Sequence, residues 1–187
     1  MIPLRRRKGA SLPALLAAML ALAATLGTAF ADTGTLADAV KATYLYKFEP
    51  FIEWPQTAFT SPTSPFVLCV LGDDAFAAVL ENAVRGERVG QRGFTVRRLA
   101  GTTDTAGCQV LYVTAGEEAH AAAALDAARG APVLTVTNAA DGAKGIINFV
   151  LRDNRIRFEI DDAAAARNGL VISSKLLSLA VSVKPRT

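Results

Sequence analysis

Histidine, cysteine and tryptophan are scarce in this 187-residue chain, which carries one His, two Cys and one Trp. One histidine, His120, and two cysteines cannot assemble the usual multi-ligand zinc site. His120 lies beside Glu117 and Glu118 in an alanine-rich stretch and reads as a solvated surface side chain; no serine or cysteine is placed to complete a nucleophilic triad with it. A phosphate-binding loop is missing as well. Asp141-Gly142-Ala143-Lys144-Gly145 has glycines and a lysine without the spacing or the Ser/Thr of that motif, and reads as a turn before a strand. Asp161-Asp162 suits a helix N-terminus better than an acid/base pair. Ser173-Ser174-Lys175 is not an S-x-x-K arrangement and reads as a cap. These absences argue against an enzyme, a metal and a cofactor.

A strong charge of either sign is also lacking. The formal balance is +3, but Arg5, Arg6, Arg7 and Lys8 fall in the first eight residues, and losing those four leaves −1. No basic stripe with interleaved aromatics remains, which excludes nucleic acid as a partner. The basic cluster is followed by an uncharged stretch, Ser11 to Ala31, dominated by Leu and Ala, and Ala29-Phe30-Ala31 places small residues where a signal peptidase reads. Residues 1–31 are therefore expected to be a cleaved signal peptide and residues 32–187 one periplasmic domain. An uncleaved membrane anchor is the competing reading, since the uncharged stretch could span a bilayer. The chain is exported in either case.

What the chain does have is a concentration of aromatics in Val40–Pro55, V-K-A-T-Y-L-Y-K-F-E-P-F-I-E-W-P. Val40, Tyr44, Lys47 and Phe51 recur at helical spacing, as do Leu45, Phe48 and Ile52, so most of the helix circumference is apolar. Such a helix must enter a core or meet a partner. Tyr44, Phe48, Phe51 and Trp54 are the candidate interface residues, with Trp54 weighted toward the core because an exposed patch of that size is unusual for a monomer. Pro50 is expected to kink or restart the helix near Glu49.

Behind it, strands are expected at Phe66–Leu71, Phe94–Leu99, Cys108–Thr114, Pro132–Thr137, Ile146–Leu151 and Arg155–Ile160. Helices are expected from Asp73 to about Val84, over Gly116–Arg129 with Gly130 as the stop, over Asp162–Arg167 and around Lys175–Ala180. Strand–helix alternation before residue 140 implies parallel βαβ units, and the short Arg152-Asp153-Asn154 connection an antiparallel hairpin. The expected fold is α/β: a three-layer sandwich with a mixed, mostly parallel sheet of about six strands. In an oxidising compartment the even cysteine count favours a Cys69–Cys108 disulfide between strands that run side by side; two buried, unreacted thiols are the alternative.

Five blocks in order carry a resemblance over nearly all of residues 32–187: the aromatic helix ending in F-I-E-W-P, F-V-L-C-V-L-G, P-V-L-T-V-T-N, the pair G-I-I-N-F-V and N-R-I-R-F-E-I, and G-L-V-I-S-S-K-L-L-S-L-A. Together they resemble the YfiR-like (HmsC-like) family of periplasmic regulators. Lys144 departs from the pattern, since members often have a second glycine before Gly145. The resemblance implies a cysteine pair at the positions of Cys69 and Cys108, with redox state affecting repressor activity. Members can carry a second pair nearer the C-terminus, which this chain lacks. It further implies a homodimer that represses an inner-membrane diguanylate cyclase through the cyclase's periplasmic region, lowering cyclic-di-GMP signalling, with relief by an OmpA-like outer-membrane lipoprotein. The alternative is a periplasmic small-molecule-binding sensor, with its ligand at the carboxyl ends of the strands near Gly72-Asp73-Asp74, Thr114–Glu117 and Thr137-Asn138.

Overall fold

A computed structural model describes residues 32–99, 104–138 and 142–186. The expected signal segment 1–31 and Asp141 of the glycine-lysine turn lie outside the described residues. The chain divides into two compact units, 1–35 and 36–187, and the fold below belongs to the second.

The first helix, α1 (Asp32–Lys47), gives way to a 3-10 turn at Glu49–Phe51. Pro50 ends the regular hydrogen bonding where the sequence predicts a break. Strand β1 (Ile52–Glu53) follows, then a 3-10 turn at Gln56–Ala58. Strand β2 (Phe66–Leu71) leads into α2 (Asp74–Ala83), whose N-cap Asp73 accepts hydrogen bonds from the amides of Ala75 and Phe76. Next come β3 (Arg88–Val89), β4 (Arg92–Leu99), β5 (Val110–Val113), α3 (Glu118–Ala127) and β6 (Leu134–Thr137). The chain ends with β7 (Ile147–Arg152), β8 (Arg155–Asp161), α4 (Asp162–Arg167), β9 (Val171–Ile172), α5 (Ser174–Leu177) and β10 (Ser182–Lys184).

The main sheet has eight strands in the order β10-β8-β7-β6-β5-β2-β4-β3. Its central run, β7 through β4, is parallel; β8 pairs antiparallel with β7 and parallel with β10, and β3 pairs antiparallel with β4. The fold class is thus the expected α/β sandwich with a mostly parallel sheet. All six predicted strands are present, and the count rises to eight through the short edge strands β3 and β10. Neither has enough residues to display an alternating pattern. The predicted final helix ends early, at Leu177, and Ser182–Lys184 pairs with β8. Two further short segments, β1 and β9, form a separate antiparallel ribbon. Asp153 and Asn154 both adopt positive φ, 48° and 56°, which closes the β7–β8 hairpin with a two-residue turn of the twist-matching type.

The layers follow from side-chain alternation on the strands. On one face, Phe66, Leu68, Val70, Val110, Tyr112, Leu134, Val136 and Ile147 meet Leu45 and Phe48 at the end of α1 and Phe76, Ala77 and Leu80 of α2. On the other, Cys69, Leu71, Leu111 and Val113 meet Ala121 and Ala124 of α3 together with Ala128. Asn168 ties the two ends of this arrangement together: its side chain donates to the carbonyls of Ala128 and Val133 and accepts from the amide of Gly130.

Candidate functional site

The aromatic segment is divided by the fold between core and surface. Phe48 is only 2% exposed, its ring 5.3 Å from Phe158 and 6.2 Å from Phe149. It is a core residue and offers no free surface, because the turn that follows α1 points it between β7 and β8. Tyr44, one turn earlier, is half-buried; its ring stacks on Phe48 at 5.7 Å and meets Phe158 edge-on at 5.6 Å. Trp54 stands edge-on to Phe66 at 5.1 Å, and its indole Nε1 is buried without a partner among the described residues. Phe51 is half-buried under the Lys175 ammonium, 5.6 Å from the ring centre, and its carbonyl accepts from the amide of Ser173. Tyr44, Phe51 and Trp54 therefore retain accessible edges, while Phe48 does not. Val40, which shares the helical repeat of Tyr44, and Leu36, one turn before it and not singled out by the sequence, are exposed apolar residues of α1.

Cys69, in the middle of β2, and Cys108, just before β5, are joined by a disulfide with a Cα separation of 5.8 Å. The parallel pairing of β2 with β5, Leu68 opposite Val110, brings them together. Both lie in the smaller core beneath α3, Cys69 fully buried and Cys108 nearly so. The Arg97 guanidinium donates to the Cys108 sulfur at 3.0 Å and to the carbonyl of Ala106 at 2.8 Å. A cavity of about 530 Å³ opens beside Cys108, lined by Phe59, Thr105 and Pro132 among others.

Among the described residues, the gap between the carboxyl ends of β2 and β5 is filled by side chains. Gly72 has φ +109°, and a Cβ there would fall 2.2 Å from Thr114 Oγ1 and 2.5 Å from Glu117 Cγ. Thr114 Oγ1 accepts from the Asp73 amide at 3.1 Å and donates to the Leu71 carbonyl, closing the gap between β2 and β5. Farther along, Thr114, Thr137 and Ala143 line a cavity of about 10 Å³, room for a single water. Gly145 is equally constrained, since a Cβ there would meet the Thr135 carbonyl oxygen at 2.6 Å.

Among the described residues, the remaining titratable groups assemble no acid/base pair. His120 Nδ1 lies 3.0 Å from Glu117 Oε2, on the surface. Burial pushes the Tyr112 phenol up, reinforced by the negative charges of Asp38 and Asp73, so it stays neutral. Burial also raises the Glu49 carboxyl, with Arg92 opposing the shift. Partial burial would raise Asp161, but the Ala164 amide and Lys184 hold it below the usual carboxylate range. Asp162 is engaged by Arg186 through two hydrogen bonds, which lifts the guanidinium further above its ordinary value. Among the described residues no group of three His, Cys, Asp or Glu could hold a metal ion, and no helix is long and apolar enough to cross a membrane.

No curated protein matches the chain. Residues 38–181, from the second turn of α1 to the start of β10, match the model of YfiR/HmsC-like proteins. The chain thus belongs to the YfiR/HmsC-like family, whose members are periplasmic, non-catalytic regulators of cyclic-di-GMP signalling.

Proposed function

We propose that this protein, after removal of residues 1–31 on export, represses an inner-membrane diguanylate cyclase by binding the cyclase's periplasmic region. The family match over residues 38–181 carries the reading. The half-buried Tyr44, Phe51 and Trp54, with Leu36 and Val40 beside Tyr44, supply apolar area that one domain leaves uncovered. A homodimer or the cyclase would bury it, and an OmpA-like outer-membrane lipoprotein would compete for the repressor. The mechanism is population shift. Holding 99% of a cyclase evenly balanced between two states in the inactive one takes a differential affinity of roughly 2.7 kcal/mol. An apolar interface of modest area supplies that.

Redox state enters through Cys69–Cys108 alone. Replacing both cysteines by serine is expected to weaken repression more than it weakens folding; equal losses would leave the bond a purely structural role. The primary test is intracellular cyclic-di-GMP, read with a fluorescent reporter in cells with and without the protein. Deletion should raise the level and the exported protein should restore it. An unchanged level in cells that express the cyclase would overturn the repressor reading. It would favour the sensor, whose ligand would occupy the cavity of about 530 Å³ beside Cys108 rather than the filled gap between β2 and β5.

A further inference from the structure

The two sulfurs of the disulfide stand in unequal surroundings. Cys69 has Arg97 of β4 as its register partner on one side and Leu111 of β5 on the other. Register partners project to the same face of a sheet, so the Arg97 side chain runs alongside Cys69 toward the start of β5. Its guanidinium donates to the Cys108 sulfur at 3.0 Å and is held there by the carbonyls of Ala106 and Asp104, at 2.8 and 3.3 Å. Cys108, and not Cys69, stands on the wall of the cavity of about 530 Å³.

Arg97 forms no ion pair with a described residue, and its Nε is buried without a hydrogen-bond partner among them. Burying part of a guanidinium without an anion is costly, and a disulfide sulfur is a weak acceptor that offsets little of the cost. A thiolate in the same place would offset far more, because a charge-assisted hydrogen bond is roughly twice as strong as a neutral one. Arg97 therefore favours the reduced, ionised form of the sulfur it touches. Asp104 is the acidic group on the cavity wall, and its carboxylate accepts from the Ala106 amide at 3.1 Å. From α3 and the start of β6 the pair meets Ala121, Ala124, Ala128 and Val133, none of them charged. The neighbouring Arg98 is engaged by Glu81 at 3.0 Å.

We infer that Cys108 is the reactive half of the pair: in the reduced protein it is a thiolate positioned by Arg97 and open to small disulfides through the cavity, while Cys69 is a buried thiol that resolves the adduct. Reduction by a dithiol leaves the Cys69 thiol, the Cys108 thiolate, a proton released to water and the reductant's own disulfide. In the return direction the Cys108 thiolate attacks a small disulfide. One sulfur of that disulfide bonds to Cys108, and the other leaves as a thiolate. Cys69 then attacks Cys108 Sγ and expels the second small thiolate, its proton passing to the departing sulfur. The Cys69–Cys108 bond is restored. This chemistry belongs to the sulfur site itself, and Cys108 has it whether or not the protein represses a cyclase.

The test uses Cys69→Ala and Cys108→Ala, each with one thiol, their folding checked by thermal melting. Alkylation by iodoacetamide is followed against pH. At neutral pH the Cys108 thiol should react on the order of tenfold faster than the Cys69 thiol, and should reach half its plateau rate about one pH unit lower. Adding Arg97→Met to Cys69→Ala should raise that half-point by about one unit and leave the plateau, which reads access through the cavity, unchanged. Arg97→Lys should retain part of the shift. With both cysteines present, Arg97→Met should favour the disulfide about tenfold in a dithiol buffer, a fall of about 30 mV in potential. Reduced wild type treated briefly with oxidised glutathione should carry the adduct on Cys108, read by mass spectrometry, which requires no variant to fold. An adduct on Cys69, or equal alkylation of the two thiols, overturns the inference. So does an Arg97→Met variant that melts earlier in both redox states but keeps the half-point and the potential, since Arg97 would then serve only to brace the turn before β5.

Discussion

The two faces of the central sheet reach the same degree of burial by different chemistry. Beneath α1 and α2 the core is built of rings: Phe48, Phe66, Phe76, Tyr112, Phe149 and Phe158 are all nearly inaccessible. Beneath α3 the covering helix contributes Ala121 and Ala124, followed by Ala128, and the sheet contributes Leu71, Leu111, Val113 and the disulfide. A helix of alanines approaches a sheet closely but brings little apolar area with it. Hydrophobic stabilisation scales with that area, so the second face has less of it per residue. The covalent link sits on the face where burial is thin. The comparison teaches a division of labour: large side chains hold one layer, and a cross-link supplements the other.

The largest expected effect tests the aromatic face. Phe48→Ala removes a ring surrounded by Tyr44, Phe149 and Phe158 and should cost about 4–5 kcal/mol, read from denaturant unfolding. A loss below about 1 kcal/mol would mean that this core collapses freely, and the contrast between faces would fail. The disulfide comes next. It closes a separation of 39 residues, and its removal by Cys69→Ala with Cys108→Ala should cost at most about 4 kcal/mol in the chain-entropy model. Hydrogen exchange should show the protection lost mainly from β5 and α3. Uniform loss over both faces would break the comparison.

The opposite operation sharpens it. Ala124 is fully buried on α3, and Ala124→Leu should destabilise by about 1–3 kcal/mol, because the close approach leaves no volume for three added carbons. A neutral or stabilising result, read from the same unfolding curves, would show that the alanine face is underpacked instead of close-packed.

Both faces were legible in the sequence to different depths. Phe66–Leu71 reads as a central strand because every residue is apolar, and the Arg152-Asp153-Asn154 connection reads as a hairpin because it is short and polar; in the fold Asp153 and Asn154 take positive φ. The break at Pro50 follows from proline's missing amide. The edge strands β3 and β10 were not legible, since two or three residues carry no period and their pairing depends on a neighbour distant in sequence. The aromatic helix was legible as apolar all round, but helical spacing cannot say which rings meet β7 and β8. That is why Phe48 falls in the core and Tyr44, Phe51 and Trp54 keep exposed edges. The filling of the gap between β2 and β5 by Thr114 and Glu117 likewise had no sequence signal beyond Gly72, whose positive φ only the folded turn reveals.

The smallest effect concerns the joint between the faces. Asp161 ends β8 on the aromatic side and caps α4, which leads to Asn168 and so to the α3–β6 turn. Its carboxyl is partly buried, which alone would raise it, yet the Ala164 amide and Lys184 hold it below the usual range. A carboxyl depressed on folding contributes stability that is present above its unfolded-state value and is lost as pH falls through its folded-state value. Asp161→Asn keeps a good capping side chain and removes only the charge. At neutral pH the variant should be less stable by under about 1 kcal/mol, as befits a Lys184 partner that is mostly exposed. The gap between variant and wild-type melting temperatures should then narrow as pH drops below about 4, where the unfolded carboxyl takes up its proton. A gap that instead widened toward acid would mean that Asp161 is raised in the fold, with burial outweighing its two partners. A gap independent of pH would assign its whole contribution to the capping hydrogen bond, leaving Asn168 alone to couple the aromatic layer to the alanine layer.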